Sequence, residues 1–262
     1  MAATVFYLDP LPDVGQPAVL DGPEGRHAAT VRRIKAGERL VLADGRGGIA
    51  EATVTAAAKD RLDLEVTARR AQQPPTPSVT LVQALPKAER SELAVELATE
   101  AGIDAVVPWQ SSRCVARWEG AKTQKGVTRW RNAAVAAAKQ ARRSFVPEVS
   151  ELHHTPQVLE RVREVAGRGG VVAVLHESAR QPFASLPLRE ASELVLIVGP
   201  EGGLSDDEVS ALTAAGATAV LLGPTVLRTS TAAAVALGAI GVLTDRWCAA
   251  PLDEACGAAP LE

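Results

Sequence analysis

Polar and apolar positions alternate along the first part of the chain. Thr53-Val54-Thr55 and Leu62-Asp63-Leu64-Glu65-Val66 place an apolar side chain at every second position, the period of a half-buried strand. Four such segments are predicted, at residues 4–8, 39–43, 49–56 and 62–68. Asp44-Gly45 and Gly47-Gly48 supply turns between them, because glycine and aspartate accept the backbone angles a tight reversal needs. One short helix is expected over residues 25–34. Several short strands in so short a stretch suggest a small barrel.

The pattern changes after Gln72-Gln73-Pro74-Pro75-Thr76-Pro77. Prolines hold themselves and their predecessors extended, so residues 73–77 read as a stiff linker. Beyond it lie short, nearly continuous apolar runs at 79–84, 105–107, 171–175, 194–198 and 219–222. Longer helical stretches separate them, at 91–101, 129–142 and 206–215. This order predicts a parallel sheet covered by helices. A last apolar helix, about residues 231–244, must pack into the core or against a partner. The expected organisation is therefore a domain at 1–72, a linker at 73–77, an α/β domain at 78–248 and a loose tail at 249–262, rich in alanine and proline.

Charge sharpens this picture. The chain has a net charge of −3, yet nine of its 28 lysines and arginines fall between Arg113 and Arg143, with Glu119 the single acid among them. A basic block on an acidic protein suggests a polyanion footprint, although a solvated helix face would look the same. No apolar run is long enough to span a bilayer, and Met1 to Pro10 lacks the pattern of a signal peptide. A cytoplasmic protein is expected, with no membrane partner. Cys114, Cys248 and Cys256 and the four histidines show no metal-ligand spacing, so no metal is expected.

Two loops carry candidate chemistry. Gly199-Pro200-Glu201-Gly202-Gly203 follows an apolar strand and precedes Ser205-Asp206-Asp207-Glu208, a capping-box start to a helix. It lacks the lysine of a phosphate loop and the spacing of a dinucleotide fingerprint. Its glycines let backbone groups approach a flat ligand, but the same residues would serve a plain strand-to-helix turn. Leu222-Gly223-Pro224-Thr225-Val226-Leu227-Arg228-Thr229 also runs from strand to helix, with Arg228 its lone charge. Thr229, Ser230 or Thr231 is the expected N-cap of that helix.

These loops resemble the cofactor loops of the SPOUT methyltransferase superfamily, and the chain is most similar to its 16S ribosomal RNA uridine-N3 methyltransferases, the RsmE family. The resemblance is carried by His27-Ala28-Ala29-Thr30-Val31-Arg32-Arg33-Ile34-Lys35-Ala36-Gly37-Glu38, by Leu81-Val82-Gln83-Ala84-Leu85-Pro86-Lys87 and by Thr99-Glu100-Ala101-Gly102-Ile103. Pro108 and Arg113, Ala138-Lys139-Gln140-Ala141-Arg142-Arg143, Val146-Pro147 and the two loops follow in family order. Ser230 stands where the family commonly has glutamate, and Thr225 where arginine is frequent. Serine at 230 is expected to cap the same helix.

The resemblance implies an α/β fold with a SPOUT-type parallel sheet and a C-terminal trefoil knot, plus a small N-terminal PUA-like β-barrel. It implies a homodimer that binds S-adenosylmethionine and acts on 16S rRNA of the small ribosomal subunit. On matching positions, Leu175, His176, Glu177, Val198, Gly199, Pro200, Glu201, Gly202, Gly203, Leu222, Gly223, Leu227, Arg228 and Thr229 would surround the cofactor. Arg26, Arg32, Arg33, Lys35, Lys87, Arg113, Lys139, Arg142 and Arg143 would meet RNA. Arg228 is the candidate catalytic group, a fixed cation for the anion that forms when uracil loses its N3 proton. His176 is a possible base, with packing or hydrogen bonding the plainer role. Glu201 either orients a loop or meets substrate. Two competing readings stay open: a SPOUT ribose 2′-O-methyltransferase, and a non-catalytic RNA-binding factor of ribosome assembly.

Overall fold

The structure, a computed structural model, describes residues 4–247. The tail expected at 249–262 lies outside the described residues. The chain divides into two compact units. Among the described residues, one holds 4–74 together with Ala138–Val146, and the other holds Pro75–Ala137 and 147–247.

The first unit begins with β1 (Val5–Tyr7) and β2 (Pro17–Leu20), then α1 (Gly22–Arg26), which runs on into a π-helical turn at His27–Val31. The strands β3 (Arg39–Ala43), β4 (Gly48–Ala57) and β5 (Leu62–Ala71) complete a five-stranded sheet in the order β1-β3-β4-β5-β2. Phe6, Leu20, Leu40, Leu42, Leu62 and Leu64 fill its core, the inward half of the alternating pattern. Two expectations needed correction. The helix starts at Gly22 rather than 25, because Pro23 in its first turn is preset for helical φ. The strand β2 was missed, since Pro17 at its start masks a four-residue run. The segment Ala138–Val146 joins this unit through backbone bonds: Gly47 N–H donates to Ser144 O at 3.0 Å and Val146 N–H to Gly45 O at 2.9 Å.

The second unit is a parallel sheet. Its elements are β6 (Ser78–Ala84), α2 (Ala88–Glu100), β7 (Ala105–Gln110), α3 (Ala121–Gln140), β8 (Glu148–Val149), β9 (His153–His154), α4 (Thr155–Gly167), β10 (Val171–Leu175), β11 (Gln181–Pro182), β12 (Glu193–Val198), α5 (Asp206–Ala214), β13 (Thr218–Leu221) and α6 (Thr229–Leu243). The end of α3 belongs with the first unit. Strand order is β11-β13-β10-β12-β6-β7-β8, with β9 also on β7, and every ladder is parallel. The central strands are buried on both faces, which is why they read as unbroken apolar runs. The sequence reading missed α4 and the two-residue strands β8, β9 and β11, which are too short to show a period.

Candidate active site

Strands β13, β10 and β12 lie side by side and run the same way. Their carboxyl ends therefore open at one edge, where ligands of open α/β sheets bind. Three segments leave that edge: residues 176–180 after β10, 199–205 after β12 and 222–228 after β13. Together they line a cleft of about 680 Å³, within the ordinary range for a small-molecule site. All fourteen residues proposed from sequence to surround a cofactor line it, from Leu175 to Thr229. Arg90, Arg113, Ser178 and Asp206 join them.

The glycine turn is shaped by contact. A Cβ at Gly199 would stand 3.1 Å from Leu204 Cγ, so a side chain there would require Leu204 to give way by a few tenths of an ångström. Gly203 has φ +67°, a region side chains disfavour. Open space lies where side chains on Gly203 and Gly223 would stand, so backbone is exposed to the cleft at both.

One hydroxyl ties the two loops together. Thr229 Oγ1 donates to Gly199 O at 2.7 Å and accepts from Gln83 Nε2 at 2.9 Å. Gln83 is fully buried at the end of β6, and its Nε2 also donates to Ala84 O. Thr229 is thus not the N-cap expected of it. The residue at that position is Arg228, with no side-chain cap bond. Ser230 does not cap α6 either. It lies inside the first turn, 1% exposed, and accepts a 3.4 Å hydrogen bond from Arg90. The helix begins two residues before the expected start, because Thr229 and Ser230 face protein rather than the open end of the helix.

A second brace comes from the turn after β7. Ser112 N–H and Oγ both donate to the Glu208 carboxylate at 2.8 Å. Ser205 completes the predicted capping box, receiving Glu208 N–H at 3.2 Å. Burial pushes the Glu208 carboxyl up, but the hydrogen bonds from Ser112 and Ser205 outweigh it and hold it below the usual carboxylate range. Arg113 donates to Gly202 O at 3.3 Å and Leu204 O at 3.0 Å, so one of its nitrogens is occupied in bracing the glycine turn. Glu201 Oε1 accepts Lys87 N–H at 3.0 Å, which ties the glycine turn to the start of α2. His176 Nδ1 accepts Ser178 N–H at 3.3 Å, holding its own turn. Arg228 is exposed on the cleft wall.

The remaining basic candidates lie mainly in the first unit. Arg26, Arg32, Arg33 and Lys35 sit on or just after its helical segment, and Lys139, Arg142 and Arg143 belong to the same unit. Arg32 donates to Thr4 Oγ1 at 2.7 Å. Lys139 pairs with Glu24 at 2.5 Å and lies 5.6 Å from the centre of the Phe6 ring, so its charge is already answered inside the unit. Arg33 and Arg142 both have positive φ, 56° and 55°. Lys87, exposed, is the N-cap residue of α2.

Sequence reasoning missed Gln83, Arg90 and the Ser112–Glu208 pair. Each acts across more than 90 residues of chain, and no local spacing signals such a contact. Only Arg90, three residues beyond Lys87 at a helix start, offered a basic residue near a strand end.

A parallel sheet with a glycine-lined cleft at its strand ends, in a chain with a separate N-terminal sheet unit, matches one class of protein on both units. The family model described as RNA methyltransferase domain matches residues 72–241, and that described as RNA methyltransferase PUA domain matches residues 20–67. The class is an RNA methyltransferase with an N-terminal PUA domain. Within it, the chain is 56% identical over 253 residues to ribosomal RNA small subunit methyltransferase E of Mycobacterium tuberculosis, covering 97% of each chain. It is 31% identical to the enzyme of that name from Bacillus subtilis, covering 86% of this chain and 90% of the other. Two similar solved structures hold S-adenosylmethionine. The Neisseria gonorrhoeae ribosomal RNA small subunit methyltransferase E has a TM-score of 0.81 at 27% identity, covering 92% of this chain and 98% of its own. A methyltransferase from Legionella pneumophila has a TM-score of 0.80 at 26% identity, covering 93% and 99%. The chain belongs to the ribosomal RNA small subunit methyltransferase E family.

Proposed function

We propose that this chain transfers the methyl group of S-adenosylmethionine to N3 of a uracil in 16S rRNA, in the cleft at the ends of β10, β12 and β13. The observation that carries this reading is the gathering of three strand-end segments and Arg228 around one cleft, in a member of this family.

The residues present fit the cofactor. The cleft is of suitable size, its glycines expose backbone donors and acceptors, and Leu175, Val198, Leu222 and Leu227 supply apolar walls. In this reading the fourteen lining residues hold the cofactor, mostly through backbone. When bound, S-adenosylmethionine supplies an electrophilic methyl group. The protein's part is to position that group and to ease loss of the N3 proton. The resulting uracil anion spreads its charge onto the ring oxygens. Arg228, exposed on the cleft wall, supplies a fixed cation to meet it. Holding acceptor and methyl group in line lowers the barrier further.

Arg26, Arg32, Arg33, Lys35, Arg142 and Arg143 are proposed to position RNA phosphates. A homodimer is part of the same reading. Val235 and Val242, 43% and 72% exposed on one side of α6, give that helix an apolar face suited to a second copy. So is the trefoil path of the second unit that family membership implies. No helix among the described residues is long and apolar enough to cross a membrane, and the proposed place of action is the cytoplasm, beside ribosomal subunits.

The test is methyl transfer from labelled cofactor to small ribosomal subunits lacking the modification, then nucleoside digestion and mass analysis. The expected product is 3-methyluridine. A ribose-methylated nucleoside would assign the chain to the 2′-O-methylating enzymes instead. Absence of any transfer by a protein that binds the cofactor would make it an assembly factor.

A further inference from the structure

One wall of the cleft carries a charge that the surrounding protein does not answer. Arg90 stands in the first turns of α2 and lines the cleft. The residue is half-buried, and its one side-chain hydrogen bond among the described residues runs 3.4 Å to the neutral hydroxyl of Ser230. It forms no ion pair among the described residues, although three acids line the same cleft. Of these, Glu201 is turned to Lys87 N–H, and neither Glu177 nor Asp206 bonds to Arg90. Beside Arg90, the first turn of α6 has no side-chain cap, so its positive end adds to the local field.

A guanidinium stripped of part of its water and given no counter-charge is costly. Such a charge in a cleft marks a functional group when a ligand can supply the missing anion. The planar fork of arginine suits a carboxylate or a phosphate, whose two oxygens accept parallel hydrogen bonds. The other cleft arginines do not fill this place. Arg113 is bound to the carbonyls of the glycine turn, and Arg228 stands exposed.

We infer that Arg90 is an oxyanion-binding residue of this site, which holds a carboxylate or phosphate of a molecule seated in the cleft. The inference rests on the methyltransferase reading above, which offers two sources for that group: the amino-acid carboxylate of the methyl donor, and a phosphate of the RNA. Ser230 matters in this scheme because it is neutral. Its hydroxyl leaves the charge of Arg90 without a counter-ion.

The experiment uses the full chain carrying Arg90→Gln or Arg90→Lys. Calorimetry measures binding of S-adenosylhomocysteine and of methylthioadenosine, which lacks the amino-acid group. Steady-state assays measure KM and kcat on unmodified small subunits over a range of salt. If the donor carboxylate is the partner, Arg90→Gln weakens S-adenosylhomocysteine by about tenfold or more, leaves methylthioadenosine unchanged, and Arg90→Lys restores part of the loss. If an RNA phosphate is the partner, donor binding is unchanged, KM for subunits rises with kcat near wild type, and the logarithmic salt slope falls by about one. Unchanged values in both arms overturn the inference. So does an equal loss of both adenosine ligands with a lowered Tm, which marks Arg90 as structural. If the wild-type chain binds the donor but methylates nothing, the methyltransferase reading fails while the calorimetric arm still judges Arg90.

Discussion

Thr229 holds two loops with one hydroxyl, giving its proton to Gly199 O and accepting from Gln83. Thr229→Val keeps the shape and removes both bonds, leaving a buried amide donor and a carbonyl without that partner. The expected loss is about 1–3 kcal/mol of stability, read by thermal unfolding, with weaker binding of the methyl donor by calorimetry. Arg228 lies under a different constraint, because it is exposed and packs little. Arg228→Ala should leave Tm within a degree or so while lowering kcat by about 10²–10³, the range for removing one donor to a developing anion. Near-normal turnover would remove Arg228 from the chemistry. The roles of these neighbours were not separable in the sequence, where Thr229 had the plain reading of a helix cap. The hydroxyl turned out to face the core, toward a strand 146 residues away in sequence.

Among the elements, α5 shows how a helix start can fix a ligand loop. Ser205 and Glu208 form the capping box that the sequence advertised, but Glu208 also reaches across to Ser112. Since these bonds depress its folded pKa against the pull of burial, its contribution is complete above the unfolded carboxylate range. It is lost as the pH falls through the folded value. Glu208→Gln should therefore destabilise the protein by about 1–3 kcal/mol at neutral pH, and the gap in Tm from wild type should shrink as the solution is acidified. A gap that stayed constant with pH would show that the side chain acts through shape, not charge. The helix α6 gave the opposite lesson. Its apolar sequence announced a buried helix, yet Arg228, at the N-cap position, makes no side-chain cap bond. Its Ser230 meets Arg90, a pairing that local spacing does not encode.

For the molecule as a whole, the distribution of charge is the main argument. The basic block between Arg113 and Arg143 reads as one feature in the sequence, but its end, with Arg142 and Arg143, belongs to the unit that also carries Arg26, Arg32, Arg33 and Lys35. Reversing both, Arg142→Glu with Arg143→Glu, should weaken binding to small subunits and flatten its salt dependence. With fewer phosphates neutralised, fewer counterions leave the RNA on binding. An unchanged slope would place the RNA footprint elsewhere. The sequence by itself determined the two kinds of sheet and the position of the strand-end loops. Those follow from periods of two to four residues and from glycine and proline, all local properties of the chain. Through the order of its motifs it also marked fourteen of the residues that line the cleft. Only the tertiary structure decided that Arg90 faces Ser230, that Glu208 answers Ser112 and that Lys139 is already paired with Glu24. Such pairings depend on which distant surfaces the packed sheet and helices press together, and a charge or hydroxyl leaves no periodic trace of the partner it will meet.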